Sequence, residues 1–253
     1  MNRSVRTAVF LAAGAGVAVL LVLAVTGLPD FGSSYHPYRD LSVAAAVHHE
    51  AANVVSSVNF DQRGLDTLGE ESILLASVIG AAMLLRTAND ETETFPLERG
   101  RVLDATRLIG YLMMPVTMIV GLDVIAHGHL TPGGGFQGGV IAGTGVHLLY
   151  VAGSYRALEK ARPVRAFEWG EAVAAGAFAC FGIAAVFVGG AFLSDVIPNG
   201  SFGNLFSAGT VPLLNGAVGV EVASGTAVLL AKFLDQAILV RPGTRQGVNG
   251  SRK

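Results

Sequence analysis

The feature that most constrains this chain is a series of apolar stretches, each long enough to cross a lipid bilayer as a helix. One crossing needs about 20 predominantly apolar residues. Six stretches meet that requirement: 7–28, 68–86, 104–126, 134–154, 170–190 and 211–234. Only 14% of the 253 residues are charged, against about 25% in a soluble domain. The sequence therefore predicts an all-α, polytopic membrane protein, a helical bundle with about six transmembrane helices.

Basic residues predict the orientation of these helices, because short cytoplasmic loops carry an excess of Lys and Arg. With six crossings, 15 of the 17 basic residues fall on one side of the membrane, and only Arg39 and Arg63 fall on the other. We therefore expect both termini to be cytoplasmic. The first stretch is longer than the apolar part of a usual signal peptide. We interpret it as a transmembrane helix, with a cleaved signal peptide as the alternative.

Residues 41–60 are apolar enough to suggest a seventh crossing, but that crossing would reverse the side of every later loop. The stretch carries His48, His49 and Glu50 at its centre. Its polar residues recur at helical spacing: Ser42, His49, Asn53 and Ser56. This pattern predicts one outer amphipathic helix that lies on the membrane surface or dips into it.

A glycine-rich turn, "HGHLTPGGGFQGG" at 127–139, joins the third and fourth predicted helices. Glycine lets the backbone turn sharply, and proline suits the start of a helix because its missing N–H costs nothing there. The predicted hinge and packing residues are Pro132, Gly133, Gly134, Gly135, Gly138, Gly139 and Gly143. Gly135, Gly139, Gly143 and His147 are spaced by four, which predicts a groove where a second helix packs closely. Two interpretations are open: the glycines serve helix packing alone, or the turn also lines a path for ions.

Ionisable residues inside the predicted helices indicate a path for ions or protons. Glu221 lies near the midpoint of the last helix, where a charged residue costs about 2.5 to 3.5 kcal/mol. We interpret it as a proton relay, with a carboxyl group that only bonds a neighbouring helix as the alternative. Asp123 precedes His127 by four residues, so the two share a face and either exchange a proton or form an ion pair. His147 is a relay residue or a packing residue.

Acidic residues crowd the segment 59–71, just before the second predicted helix. Asp66 with Thr67 would cap that helix, and Glu70 would lie in its first turn. Together with Asp61, these acids would form a negatively charged mouth on the outer face that attracts cations. The alternative is that they are solvated surface residues. At the start of the fifth helix, Glu168, Trp169 and Glu171 are expected on structural grounds, as an aromatic anchor and acids near a helix N-terminus.

Several classes of protein are excluded. A net charge of −2 without a basic cluster excludes nucleic-acid binding. Cys180 is the only cysteine, so the chain forms no internal disulfide and no cysteine metal site. His127 and His129 lack a recognisable third ligand, so we expect them to face water and predict neither a metal site nor a cofactor. Without an internal repeat, an autonomous transporter is disfavoured.

Two stretches resemble components of Mrp (Mnh)-type multisubunit cation/proton antiporters. "NVVSSVNFDQRGLDTLGEESILLASVIGAAMLLR" (53–86) is similar to the C-terminal end of the large A-type subunit, or to the small E-type hydrogenase subunit that matches it. "HGHLTPGGGFQGGVIAG" (127–143), with "LFSAGTVPLLNGAVGVEVASG" (205–225), resembles the B-type subunit, the MnhB family. In that family an acid often follows the paired leucines of the last helix. Here Asn215 follows Leu213 and Leu214, and Glu221 lies deeper.

The resemblance implies three parts: a two-helix unit at 1–100, a four-helix MnhB-like unit at 101–240, and a flexible cytoplasmic tail at 241–253. It implies a non-enzymatic, multi-pass subunit of a bacterial plasma-membrane Na⁺/H⁺ antiporter. Its partners would be large A- and D-like and small C-, E-, F- and G-like subunits. The candidate ion and proton path comprises Glu221, His147, Asp123 and His127, with Asp61, Asp66 and Glu70 at the mouth. A passive sealing subunit, or a membrane-arm subunit of a hydrogenase or complex I relative, is the alternative.

Overall fold

The computed structural model describes residues 3–28, 32, 34–85, 102–152 and 164–239. The chain divides into two compact units, Met1–Leu41 and Ser42–Lys253. The described residues form helices and no strand, which confirms the all-α fold class. Residues 86–101, which include the boundary between the two predicted units, and the predicted tail at 241–253 lie outside the described residues.

Eight helices follow one another in the described parts of the chain. They are α1 (Arg3–Thr26), α2 (Pro37–His48), α3 (Val54–Ser57), α4 (Gly64–Leu84), α5 (Asp104–Ala126), α6 (Gly135–Ala152), α7 (Val164–Gly189) and α8 (Val211–Leu239). A π-helical turn, Val58–Gln62, lies between α3 and α4. Five of the described helices are long and apolar enough to cross a membrane: α1, α4, α5, α7 and α8. The fourth predicted crossing, α6, is described over 18 residues and is not among these five.

Helix α8 forms the centre of the larger unit. It contacts α4, α5, α6 and α7, as well as the π-helical turn. More than half of its apolar stretch is buried, against less than a quarter in α4, α5 and α7. Leu214, Val218 and Val222 of α8 join the buried cluster that also holds Phe60 and Phe178. The helix that carries Glu221 is therefore surrounded by protein.

The glycine stripe of α6 lies directly against α8. A Cβ atom on Gly135 would lie 2.6 Å from the Cβ of Val218, and one on Gly139 would lie 2.8 Å from the carbonyl oxygen of Gly219. Gly143 faces the hydroxyl of Thr226 in the same way. Larger side chains at these positions would push the two helices apart, so the stripe sets how closely α6 approaches α8.

Helix α5 approaches α6 from another side, again through glycines. A Cβ atom on Gly138 would lie 2.6 Å from the carbonyl oxygen of Gly121 on α5. Its other near neighbour is Ile125. Helix α6 therefore packs tightly against two helices at once, which explains why small residues occur on more than one of its faces.

Two asparagines hold the turn between α5 and α6 in place. Asn215 of α8 is fully buried; its Oδ1 accepts from the backbone N–H of Gly135 at 2.9 Å, and its Nδ2 donates to Ser56 Oγ at 3.0 Å. Asn53 Nδ2 donates to the carbonyl oxygens of Gly128 at 2.7 Å and Thr131 at 2.8 Å. These bonds satisfy backbone groups of an irregular segment, which is how such a segment is tolerated inside a membrane protein.

Backbone conformation requires glycine at two positions of this turn. Gly133 and Gly134 have φ angles of 143° and 137°, which other residues rarely adopt. The expectation that Pro132 opens the next helix is wrong, because α6 begins three residues later, at Gly135. The two extended glycines separate the proline from the helix.

Residues 41–60 do not form one amphipathic helix. Helix α2 ends at His48, Glu50 takes a φ of 58°, and Asn53 starts α3 by accepting from the backbone N–H groups of Val55 and Ser56. The polar residues of the predicted stripe do not simply face water: Ser42 and Ser56 are buried. Ser56 and Asn53 bind α8 and the glycine turn, because these buried backbone and amide groups need hydrogen-bonding partners.

The start of the second predicted helix also differs from the expectation. Helix α4 begins at Gly64, and the preceding Arg63 makes no side-chain cap. Asp66 is therefore the third residue of the helix rather than its cap. Thr67 is buried, and its hydroxyl donates to the carbonyl oxygen of Asn59 at 2.7 Å. The π-helical turn leads the chain into α4, which removes the need for a capping side chain.

Candidate functional site: a row of buried glutamates

Three glutamates are buried where three helices meet. Glu221 of α8 is 0% exposed, Glu71 of α4 is 1% exposed and Glu171 of α7 is 3% exposed. We call these residues the glutamate row. Glutamate is almost never fully buried unless it is paired, so three in one bundle require an explanation.

Glu221 interacts with both other members of the row. At 1.5 Å per residue, Glu71 lies about 10 Å from the start of α4 and Glu221 about 15 Å from the start of α8. Glu71 and Glu221 are close enough to interact electrostatically, and so are Glu221 and Glu171. Glu171 lies against the next turn of α8, where its Oε1 is 3.2 Å from the position of a Cβ on Gly225. Glu221 therefore lies between Glu71 and Glu171 in this series of interactions.

The glutamate row lacks hydrogen-bond donors. Among the described residues, no donor reaches either carboxyl oxygen of Glu71 or Glu221, or Oε1 of Glu171. A buried carboxylate without a donor costs several kcal/mol, whereas a neutral carboxyl group costs less. A carboxyl group in this setting therefore costs less free energy when it carries a proton than when it is charged.

The predicted relay residues outside α8 lie in two different environments. Asp123 and His127 meet as expected, with His127 Nδ1 3.0 Å from Asp123 Oδ1, and both are exposed. His147 is half-buried on α6, and its Nε2 lies 3.3 Å from the carbonyl oxygen of Thr226 on α8. Asp123 and His127 form a surface pair, whereas His147 lies at the contact between α6 and α8. Its partner on α8, Thr226, follows Glu221 by five residues.

The predicted acidic mouth is divided between the interior and the surface. Asp61 Oδ2 lies 2.8 Å from His49 Nδ1, and the Asp61 side chain is only 10% exposed. Burial raises the pKa of Asp61, and this effect exceeds the opposing influence of His49. Asp66 instead forms an exposed pair with Arg63, and Glu70 is exposed. The structure does not bring the three acids into one cluster.

An acid that the sequence did not single out faces Asp61. Asp195 interacts electrostatically with Asp61, and its Oδ1 accepts from the backbone N–H of Thr210 at 2.9 Å. Its Oδ2 is buried and has no donor among the described residues. Asp195 lies in the loop before α8, so only the folding of that loop over the π-helical turn brings it near Asp61.

The expectation that both histidines of the glycine turn face water is wrong for His129. His129 is 0% exposed, and its Nε2 lies 3.4 Å from the carbonyl oxygen of Asn204. Burial lowers the pKa of His129. The loop before α8 covers this histidine, a long-range contact that local sequence does not reveal.

Comparison with known proteins identifies the family. A family model described as a domain related to the MnhB subunit of Na⁺/H⁺ antiporters matches residues 105–228. A protein of Methanocaldococcus jannaschii whose function is uncharacterised is 30% identical over 206 residues, which cover 70% of this chain and 75% of that protein. This chain belongs to the MnhB family. The resemblance seen in the sequence is confirmed, and with five apolar helices this MnhB chain is a multi-pass membrane protein.

Other relatives of this MnhB chain are parts of larger proteins or complexes. A probable K⁺/H⁺ antiporter component of Rhizobium meliloti, of combined A/B type, is 30% identical over 183 residues, which cover 63% of this chain and 18% of that protein. A chain of the membrane-bound sulfane sulfur reductase, an archaeal respiratory membrane complex, has a TM-score of 0.69 at 25% identity, with 91% of this chain and 98% of that chain covered. A chain of the Mrp complex from Dietzia sp. DQ12-45-1b has a TM-score of 0.67 at 24% identity, with 92% and 26% covered.

Sequence patterns do not predict a functional role for two members of the glutamate row in this MnhB chain. They place Glu71 among the outer acids and Glu171 at the start of its helix. Helical spacing carried a usable signal for both. Glu71 follows Thr67 by four residues on the buried face of α4, and Ala174 and Phe178 continue the buried face of α7 from Glu171. An acid that lies three or four residues from small or apolar side chains, and so shares their face of a helix, is expected to be buried with them.

Proposed function

We propose that this MnhB-family chain is a membrane subunit of an Mrp-type cation/proton antiporter, in which Glu221 carries protons or ions across the middle of the bilayer. The chain performs no chemical reaction itself. It works beside large A- and D-like and small C-, E-, F- and G-like subunits, in a bacterial plasma membrane with both termini in the cytoplasm. Na⁺ and H⁺ are the transported ions.

The observation that carries this proposal is the complete burial of Glu221 in the central helix, where no donor among the described residues reaches its carboxyl oxygens. An ionisable residue at membrane depth is expensive and is therefore kept for a purpose. The family membership supplies the context, since the MnhB subunit belongs to a Na⁺/H⁺ antiporter.

Replacing Glu221 with Gln tests the proposal, since the amide keeps the size of the side chain and cannot exchange a proton. We expect Glu221→Gln to reduce cation-driven proton movement in everted vesicles by at least about a hundredfold. The assembled complex should keep its size on a native gel. Asp104→Asn is the matched control, because Asp104 is an exposed acid in the first turn of α5. Antiport at the wild-type rate in Glu221→Gln would refute the proposal.

A second assignment is a membrane-arm subunit of a respiratory complex, where partner subunits hold the redox centres. It is favoured by the coverage of the sulfane sulfur reductase chain, 98% of which aligns with this chain, against 26% of the Mrp chain. Purification of the complex from its native membrane separates the two assignments. Subunits with bound redox centres would indicate the respiratory complex, and antiporter-like subunits alone would indicate the antiporter. A passive sealing role predicts normal antiport in Glu221→Gln.

A further inference from the structure

A pocket of about 410 Å³ lies between α4, α7 and α8, beyond the last member of the glutamate row. Most of its wall is aliphatic, with Leu75, Val78, Ile79 and Ala82 from α4. Its polar side chains are Glu168, Glu171 and Lys232. The Glu168 and Lys232 side chains form an ion pair, Nζ to Oε1 3.4 Å, and remain 45% and 28% exposed. The pocket therefore reaches the surface beside this pair.

Glu171 connects this pocket to the glutamate row. It lines the pocket, yet it is 97% buried, and its Oε1 has no donor among the described residues. On its other side it interacts electrostatically with Glu221. Gly225 lies one turn after Glu221 on α8. Because it has no side chain, it leaves room for the Glu171 carboxyl group.

We propose that this pocket is the vestibule through which protons enter or leave the glutamate row, and that Glu171 exchanges them between the pocket and Glu221. The inference rests on the proposed function, since it assumes that Glu221 carries protons. In the transfer, the O–H bond of one carboxyl group breaks and an O–H bond forms on the other, directly or through water. The basic residues near this end of the helices predict that the vestibule is cytoplasmic.

The composition of the pocket favours a proton over a metal cation. Hard cations such as Na⁺ prefer several oxygen ligands at once. Among the described residues that line the pocket, only Glu168 and Glu171 are acidic, and Glu168 is already paired with Lys232. A proton needs only one carboxylate oxygen, which Glu171 Oε1 provides.

Among the described residues, three charged or titratable groups near Glu171 influence the exchange: Glu221, Glu168 and Lys232. Glu221 of α8 interacts with Glu171 directly, and Glu71 of α4 interacts in turn with Glu221. Glu168 of α7 and Lys232 of α8 lie on the side of the surface. A negative charge on Glu221 or Glu168 favours proton uptake by Glu171, and the positive charge of Lys232 opposes it.

Chemical labelling tests the vestibule without measuring transport. Dicyclohexylcarbodiimide is an apolar reagent that reacts with protonated carboxyl groups, so it should enter the aliphatic pocket. We expect it to label Glu171 in the purified complex several-fold more than the exposed Asp104, and to label it less as the pH rises, because a deprotonated carboxylate does not react with this reagent. Peptide mass spectrometry identifies the labelled residue. Labelling of Asp104 without Glu171, or labelling of Glu171 that does not change with pH, would overturn the inference.

Variants separate this inference from the proposed function. Glu171→Gln should lower antiport at least about tenfold and remove the label, whereas Glu171→Asp, which keeps a carboxyl group, should restore part of both. If Glu221→Gln abolishes antiport but Glu171→Gln retains the wild-type rate, the vestibule is wrong and the proposed function stands. If Glu221→Gln retains antiport, the proposed function fails, whatever the labelling shows.

Discussion

At the scale of single residues, burial decides which ionisable groups matter. Asp66 and Glu70 are close in sequence to Glu71, but they face outwards and Glu71 faces α8. One residue along a helix rotates the side chain by about 100°. Glu168 and Glu171 lie on nearly the same face of α7, since they are three residues apart. Glu168 is about one turn nearer the helix start, where it remains exposed and pairs with Lys232, while Glu171 is buried.

His129 provides a prediction on stability at this scale. Because burial lowers its pKa in the folded protein, the unfolded chain takes up a proton more readily. Above the unfolded pKa of about 6.5, His129 is neutral in both states and its contribution to the free energy of unfolding is fully present. As the pH falls from there to the folded pKa, the free energy of unfolding decreases by up to about 1.4 kcal/mol for each pH unit. We expect His129→Gln to reduce the fall in melting temperature of the purified complex between neutral and acidic pH.

The control for this experiment is His36→Gln, since His36 is exposed and should leave the acid-induced fall unchanged. Differential scanning fluorimetry in detergent measures both variants beside the wild type. An equal fall in His129→Gln and in the wild type would contradict the prediction.

At the scale of helices, glycines decide which surfaces can meet. The periodic glycines of α6 are recognisable as a packing stripe from the sequence, because spacing by four places residues on one face. The sequence does not reveal which helix packs against that stripe. The structure shows that it is α8, and that Gly138 on a neighbouring face serves α5 at the same time.

Adding one methyl group to the stripe tests its role. In Gly139→Ala the new Cβ would lie 2.8 Å from both the carbonyl oxygen of Gly219 and the Cβ of Val222. Such overpacking costs about 1 to 3 kcal/mol, so we expect a lower melting temperature and loss of the assembled complex on a native gel. Gly176→Ala is the matched control in α7, because nothing lies within 4 Å of its added Cβ. Equal behaviour of the two variants would show that the stripe does not control packing.

At the scale of the whole molecule, the basic residues predict which side of the membrane each loop faces. In a variant without the native cysteine, Cys180→Ala, a cysteine at Ser34 should react with a membrane-impermeant maleimide on intact cells. A cysteine at Ser251 should react only after the membrane is broken, because both termini are predicted to be cytoplasmic. Gel-shift labelling measures both. The opposite pattern would reverse the orientation and place the proposed vestibule on the outer side.

The sequence alone determined the membrane class, the family and most helix positions. Long apolar stretches, glycine spacing and an acid in the middle of an apolar helix are local features, so they can be recognised from the sequence. Prediction from local features fails at 41–60, where two helices form instead of one and Asn53 binds the distant backbone of the glycine turn.

Only the tertiary structure decided which acids come together. Glu71, Glu171 and Glu221 are separated by 50 residues or more in the sequence, and their proximity depends on how α4 and α7 rotate against α8. That rotation is set by close packing around positions such as Gly225, and close packing is a property of several helices at once. For the same reason, the loop that buries His129 and brings Asp195 to Asp61 could not be inferred from either segment by itself.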